Sequence, residues 1–232
     1  MKMEFNENIA EIVGIVLGDG HIHTKSNLLT ITGSLEELDY YQKHVSILFQ
    51  KEFKKTPYLK KRKDRNAYYL MICSKEIIDY LVNELRMKRG SKYHAVIPNL
   101  ISSKKEFMGA FLRGIFDTDG CIKFSKQNRN INYYPRIEIS LRESPLAREL
   151  KILLENLNIS FCSWKDERFN HGQRYFQISG KVNARRWFKE ISPKNQVHTS
   201  KYYFWKKEGY CIPRSSLKFR TSHLASTKPK IL

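Results

Sequence analysis

Two aspartates carry the chemistry that the sequence announces first. Asp19 closes the run Ala10-Glu11-Ile12-Val13-Gly14-Ile15-Val16-Leu17-Gly18-Asp19-Gly20, and Asp119 closes Ala110-Phe111-Leu112-Arg113-Gly114-Ile115-Phe116-Asp117-Thr118-Asp119-Gly120, one hundred residues later and without a gap. A carboxylate at a helix C-terminus faces the negative end of the helix dipole, which costs some tenths of a kcal/mol or more. A single Asp-Gly reads as a helix stop followed by a hairpin turn. Two in register, each opposed by its own dipole, point instead to carboxylates that converge on a divalent cation. Hard oxygen donors suit magnesium, or manganese, with waters and a substrate phosphate completing the shell.

The elements that must position these groups are two helices. Ala10, Gly14 and Gly18 in the first, and Ala110, Gly114 and Thr118 in the second, are small residues spaced by four and so share one face. Glycine costs roughly 1 kcal/mol in a helix interior relative to alanine, so its repeated use marks a face where another backbone comes close. The natural partner of each copy is the other. Asn6 or Asn8 is placed to cap the first helix, and the second is expected to begin near Lys104.

Each helix is followed by the same series. Residues 21–25 and 29–32 alternate as two strands. Residues 34–49 have helical periodicity and open with Ser34 and Glu37 in capping-box spacing. Residues 56–62 and 67–73 form a second hairpin, and residues 74–85 a closing helix. In the second half the strands are 121–127, 134–142, 160–169 and 174–179, and the helices 144–157 and 183–191. The expected fold is α+β: two pseudo-symmetric αββαββα halves, residues 1–100 and 101–232, with four strands each and helices covering one side of each sheet. In 136–142, Ile137, Ile139 and Leu141 point one way and Arg136, Glu138, Ser140 and Arg142 the other. A mixed donor and acceptor face is what reading base edges in a major groove requires. The same reasoning assigns His21, His23, Lys25, Thr30, Thr32, Lys60, Arg62, Lys123, Ser125 and Gln127 to DNA contact.

These motifs resemble the LAGLIDADG homing endonucleases, in the monomeric form with two motif helices in one chain. The first copy departs from the namesake pattern, with Leu17-Gly18-Asp19 where the family has Asp-Ala-Asp, but the last aspartate is kept. The resemblance implies motif helices packed at the centre, antiparallel saddle-shaped sheets over DNA, and site-specific double-strand cleavage leaving short 3′ overhangs. It implies that Asp19 and Asp119 bind metal with the carbonyls of Gly18 and Thr118. It also implies that a lysine from each half reaches the site. Ser91-Lys92-Tyr93 recurs as Ser200-Lys201-Tyr202, which makes Lys92 and Lys201 the candidates. The polar residue that the family often carries at the end of the second strand is replaced here by Gly33, while Arg142 in the second half is placed to act on phosphate. Splicing of intron RNA, or DNA binding without cleavage, are the alternatives that the same family includes.

A formal charge of +19 with pI near 9.8 calls for a polyanionic partner, first of all double-stranded DNA. No apolar run approaches the ~18–20 residues of a spanning helix, so a membrane is not the expected partner. Cys73, Cys121, Cys162 and Cys211 are widely spaced and read as reduced thiols of an intracellular protein, in the cytoplasm or nucleoid of a prokaryote or in an organelle. The histidines lack finger spacing, so zinc is not expected. The chain neither begins with Cys or Ser nor ends in His-Asn, and so reads as a free-standing intron-encoded product, of the intron-homing kind, rather than an intein; the resemblance implies a monomer. The linker at 86–98 is basic, the segment from Thr199 is basic and aromatic enough to pack on the body, and the stretch from about Ser222 reads as loose.

The charge is uneven: residues 1–100 hold 16 basic and 12 acidic residues, against 26 and 11 in residues 101–232. Affinity for DNA should therefore fall steeply with salt, by about 0.9 counterion per phosphate neutralised. Neutralising a set of Lys and Arg in residues 101–232 should flatten a plot of log K against log salt more than the same number in residues 1–100. Equal flattening from both halves would refute the asymmetry.

Overall fold

The computed structural model describes residues 4–168 and 171–226. Its centre is a pair of helices, α1 (Glu7–Gly18) and α5 (Lys105–Asp119). The Asn6 side chain caps α1 by accepting from the Ile9 amide at 3.0 Å, and α5 begins one residue beyond the expected start. Ile9, Ile12, Val13, Ile15, Val16, Phe111, Leu112, Ile115 and Phe116 are all buried, so the pair forms the middle of the core rather than one side of it.

How closely the helices approach is set by their glycines. A methyl group at Gly114 would lie 2.8 Å from the amide nitrogen of Ile15 and nearer still to the carbonyl oxygen of Glu11. One at Gly14 would lie 3.0 Å from the Ile115 nitrogen and nearer still to the Phe111 carbonyl. These are backbone atoms, which cannot swing aside.

After α1 come β1 (Gly20–Ile22) and β2 (Leu28–Ser34), then a continuous helical segment. The segment consists of a 3-10 turn (Leu35–Glu37), α2 (Leu38–Tyr40), a π turn (Tyr41–Val45) and α3 (Ser46–Phe53). The capping box forms as the sequence suggests, with both the amide and the hydroxyl of Ser34 donating to Glu37. Next are β3 (Tyr58–Lys61), β4 (Ala67–Cys73), α4 (Lys75–Asp79) with a π turn to Glu84, and a 3-10 turn (Asn99–Ser103). The second half follows α5 with β5 (Gly120–Ser125), β6 (Tyr134–Arg142), α6 (Pro145–Asn156), β7 (Cys162–Asp166), β8 (Gln173–Ser179) and α7 (Lys181–Glu190). It ends with α8 (Gln196–Glu208) and α9 (Leu217–Ser226).

The two sheets are antiparallel and share one topology, β1-β2-β4-β3 and β5-β6-β8-β7. Alternation sends Leu29, Ile31, Leu70 and Ile72 of one, and Ile137, Ile139, Phe176 and Ile178 of the other, into the core. Among the described residues the opposite faces carry no helix of the same series, and His21, Lys60 and Arg142 are exposed there. Helix α8 packs through Tyr202, Phe204 and Trp205, as the aromatic content of that segment suggests. Residues 222–226 are not loose but form the last turns of α9, where His223 lies against the Phe204 ring at 4.9 Å. The remainder of the tail and the expected strand end at Phe169 lie outside the described residues.

The basic linker is not merely solvated. The Arg89 guanidinium donates to the carbonyls of His23 at 3.0 Å and Ser26 at 2.8 Å, and the Gly90 amide donates to the Ile22 carbonyl at 2.7 Å. These bonds pin the chain under β1 and aim Lys92 back at the end of α1.

Gly114→Leu should cost at least about 1–3 kcal/mol of overpacking and lower the melting temperature by several degrees. Gly109, in the same helix but with nothing within 4 Å of an added methyl group, supplies the control. Gly109→Ala should be neutral or stabilising by roughly 0.5–1 kcal/mol. Equal melting of the two variants would show that the helices do not meet at Gly114.

Candidate active site

The close approach brings the two aspartates to one place. Asp19 is the C-cap of α1, and Asp119 is the last residue of α5. A methyl group at Gly18 would lie 2.7 Å from Thr118 Cβ and 3.3 Å from Asp119 Oδ2, so the end of one helix is in contact with the carboxylate of the other. Burial, then the neighbouring Asp119 charge, raises the Asp19 carboxyl to about 7, with Tyr41 and Lys92 pulling it down. Burial raises Asp119 to about 6, against the pull of Lys92. Two crowded carboxyl groups held this far above 3.8 lack a counter-charge.

Part of that charge comes from Lys92. Its ammonium donates to the carbonyl oxygen of Leu17 at 2.9 Å and to that of Gly18. Burial lowers its pKa, while Asp119 and Asp19 raise it. The last carbonyls of a helix have no amide of the next turn to bind them, and here a cation has settled on two of them. Two carboxylates and the helix-terminal carbonyls are hard oxygen donors of the kind that suit a small cation, and in this structure the Lys92 ammonium is the cation that one of those carbonyls, that of Gly18, receives.

The two aspartates do not have the same surroundings. Asp19 Oδ2 accepts from the Tyr41 hydroxyl at 3.0 Å. Tyr41 starts the π turn, and it and Tyr40, adjacent in sequence, both point inward. Its ring lies over Gly33, where a Cβ would meet Tyr41 Cζ at 2.6 Å. Gly33 is thus not simply a missing polar residue; its lack of a side chain admits the tyrosine that holds Asp19. Beside Asp119 the chain instead leaves a cavity of about 340 Å³, lined by Lys92, Tyr93, Ser140, Arg142 and Gln173. The Arg142 guanidinium lies 4.6 Å from the centre of the Tyr93 ring, a cation–π contact that holds the side chain toward this cavity.

Beneath the pair lies a polar layer that the repeat pattern does not reveal. Glu11, 1% exposed inside an apolar helix, accepts from Arg113 Nε at 2.8 Å and pairs with His44. Burial pushes its carboxyl up, but His44 and Arg113 outweigh this and the net direction is down. Asp117 is fully buried and accepts from the Lys194 amide at 2.7 Å, and burial pushes its carboxyl up to about 8. Asn195 donates at 2.8 Å to both the Asp117 carbonyl and Glu37, tying the second motif helix to the first half. A charged residue within each apolar run, Glu11 in one and Arg113 in the other, was the available signal.

The remaining expected site residues divide. Thr30 and Thr32 lie on the helix-free face of the first sheet with His21, and Lys60 joins them through its pairing with Tyr69. His23 holds Thr30 at 3.0 Å, Lys25 is exposed in the β1–β2 turn, and Arg62 lies over the Tyr69 ring at 4.8 Å. In the second sheet Arg136, Glu138, Ser140 and Arg142 share the corresponding face, but Glu138 is 9% exposed and held by Lys123 at 2.6 Å, and the Arg136 Nε is buried, so of these four Ser140 and Arg142 are the ones offered to a groove. Three further expectations need correction. The Ser125 hydroxyl is buried, so it is not offered to a groove. Gln127 lies past the end of β5 with φ of 46° and has left the sheet. Lys201 sits among Arg220, Cys121, Cys211 and Glu36 and not against the aspartates, because α8 runs along β5 where the linker of the first half runs under β1.

The raised carboxyl groups make a prediction about stability. A carboxyl that ionises near 3.8 when unfolded but near 6 or 7 when folded opposes folding increasingly as pH rises through that interval. Without divalent metal, Asp19→Asn should match the wild type near pH 4 and exceed it at pH 8, by on the order of 2 kcal/mol. Thermal melts in chelator from pH 4 to 8 measure this; parallel profiles would mean that Asp19 ionises no higher in the folded chain than in the unfolded one.

Comparison with known proteins bears on the fold. Residues 106–192 match the model of a LAGLIDADG-like domain. The chain is 36% identical over 125 residues to the replication factor C small subunit of Methanocaldococcus jannaschii, covering 53% of this chain and 6% of that protein. It is 27% identical over 231 residues to the glutamine–fructose-6-phosphate aminotransferase (isomerizing) of the same organism, covering 96% of this chain and 19% of that protein. It thus spans less than a fifth of either relative. Among solved structures, a mesophilic variant of the homing endonuclease I-DmoI superimposes with a TM-score of 0.55 at 18% identity, over 81% of this chain and 97% of that one. I-DmoI in complex with DNA and Mn gives 0.54 at 19% identity, over 80% and 96%. Full-length DUF199/WhiA from Thermatoga maritima gives 0.56 at 15% identity, over 97% and 69%. The chain thus contains a LAGLIDADG-like domain in its second half and has, as a whole, the two-repeat fold of the LAGLIDADG homing endonucleases.

Proposed function

We propose that the protein is a site-specific endonuclease that binds double-stranded DNA across its two sheets and hydrolyses both strands between Asp19 and Asp119. The observation that carries this reading is the meeting of the two carboxylates at the ends of close-packed helices, both raised in pKa. The likeness to I-DmoI, solved with DNA and Mn and with DNA and Ca, supports it. Asp19 and Asp119, with the carbonyls of Gly18 and Thr118, would hold divalent magnesium or manganese. Bound there, such a metal lowers the pKa of water and stabilises charge on the phosphate oxygens.

The chain's own groups have separate tasks. Lys92, which lines the cavity together with Asp119, would stabilise negative charge developing on the phosphate. Arg142, held by Tyr93, would grip the non-bridging oxygens of a phosphodiester lying beside Asp119. Tyr41 fixes the carboxylate of Asp19 and favours its ionised form. The lysine and arginine side chains of both sheets would place the duplex by its phosphates, and the mixed polar side chains would read it.

The same fold belongs to DUF199/WhiA, with a likeness covering 97% of this chain, so DNA binding without cleavage is the rival outcome. Duplexes bound by the protein in calcium are selected from a randomised library, then exposed to magnesium. The wild type should cut them. Asp19→Asn and Asp119→Asn should bind with affinity within about threefold of wild type but cut at least about 10²-fold more slowly, the range for removing one electrostatic contribution to the transition state. Full cutting by both variants would end the metal-site reading, and binding by the wild type without cutting would favour the rival.

A further inference from the structure

The pseudo-symmetry allows the two DNA-facing surfaces to be compared one row at a time. In the first half a row runs outward from the centre through Asp19, Thr32, Tyr69 and Lys60: the Thr32 amide donates to the Asp19 carbonyl at 3.2 Å, Thr32 pairs with Tyr69, and Tyr69 with Lys60. In the second half Gly120 pairs with Ile139, which sets Asp119 opposite Ser140. Ser140 then pairs with Tyr175, and Tyr175 with Trp164. The rows match in type at three places, Asp with Asp, Thr with Ser, and Tyr with Tyr. They differ only at the outer edge, where Lys60 corresponds to Trp164.

Trp164 is stacked on Tyr175, with ring centres 5.2 Å apart and planes 7° from parallel, and is 40% exposed. Neighbours Phe176 and Ile178 on β8 face the core, so Tyr175 and Trp164 stand on the opposite, helix-free face. The tyrosine of the first half is covered instead by the Arg62 guanidinium at 4.8 Å. One row therefore ends in cations and the other in a flat apolar wall. Within a duplex the bases are stacked on one another, and the major groove shows only their edges. Of the groups on those edges only the C5-methyl of thymine is apolar. A cation in the same place favours guanine acceptors or phosphate.

We infer that Trp164, backed by Tyr175, is a specificity-determining residue that selects thymine by its methyl group in one half of the target, where the matching residue of the other half, Lys60, selects by charge. This rests on the DNA-binding part of the proposed function and not on cleavage. A cross-strand aromatic pair could instead serve only to hold the edge strand β7 in place, and that alternative gives a different result below.

Duplexes are selected from a randomised library by the full chain in calcium, and each thymidine of the enriched site is replaced in turn by deoxyuridine, which removes only the methyl group. The wild type should lose roughly fourfold in affinity, about what burying one methyl-sized group is worth, at one or two adjacent positions confined to one half of the site. Trp164→Ala should abolish that sensitivity and Trp164→Tyr should keep it. The inference is overturned if no thymine is sensitive, if the sensitivity survives in Trp164→Ala, or if Trp164→Ala loses affinity equally at all positions with a lowered melting temperature. A selected site that is bound but not cut would overturn the endonuclease reading and leave this one standing, and no enriched sequence at all would overturn both.

Discussion

The structure depends on the contact between two helix backbones at Gly14 and Gly114. Helices separated by side chains have their axes some 8–10 Å apart. Here the Glu11 and Phe111 carbonyls occupy the space that a methyl group would need. Everything at the C-terminal ends follows from that approach. Asp19 and Asp119 are adjacent because the glycines let their helices come this close. The sheets that begin immediately after them at Gly20 and Gly120 are fixed relative to one another by the same contact.

Packing two carboxylates at two helix C-termini is electrostatically costly, and the surrounding residues show how the chain contains that cost. Lys92 brings a positive charge to the carbonyls of α1, Tyr41 donates to Asp19, and the third carboxylate nearby, Asp117, sits in a site that favours its neutral form. Deeper down, Glu11 remains ionised only because Arg113 and His44 meet it. The polar layer is thus graded from a compensated ion pair, through a neutral acid, to a pair of under-compensated carboxylates at the helix ends. A divalent cation would complete the sequence where the compensation runs out.

The periodicity of the chain made much of this legible. Alternation over 136–142 gave β6 its faces because a half-buried strand has no other way to satisfy both sides, and Ser34 with Glu37 marked a helix start because the capping box is local. What escaped was non-local. The π turn at Tyr41 depends on packing against the motif helix and not on a propensity, so the tyrosine that replaces the missing side chain at Gly33 could not be read from spacing. The match of Ser91-Lys92-Tyr93 with Ser200-Lys201-Tyr202 misled for the same reason: identical tripeptides lie on a linker in one half and within α8 in the other. Lys92 reaches the aspartates because Arg89 and Gly90 tie its segment to β1, and no equivalent tie is present in the sequence around Lys201.

These departures from symmetry increase with distance from the helix pair. At the contact itself the two halves are interchangeable, since each glycine faces the backbone of the other helix. One step out, Asp19 has a tyrosine and Asp119 an open cavity. At the sheet edges Lys60 and Trp164 have nothing in common. Such a gradient follows from the packing: a residue at the centre is constrained by both halves at once, so a change there must be matched across the interface. A residue on an edge strand touches only its own sheet and whatever lies in the groove. A chain built this way can keep one geometry at the paired aspartates while its two sheet surfaces diverge.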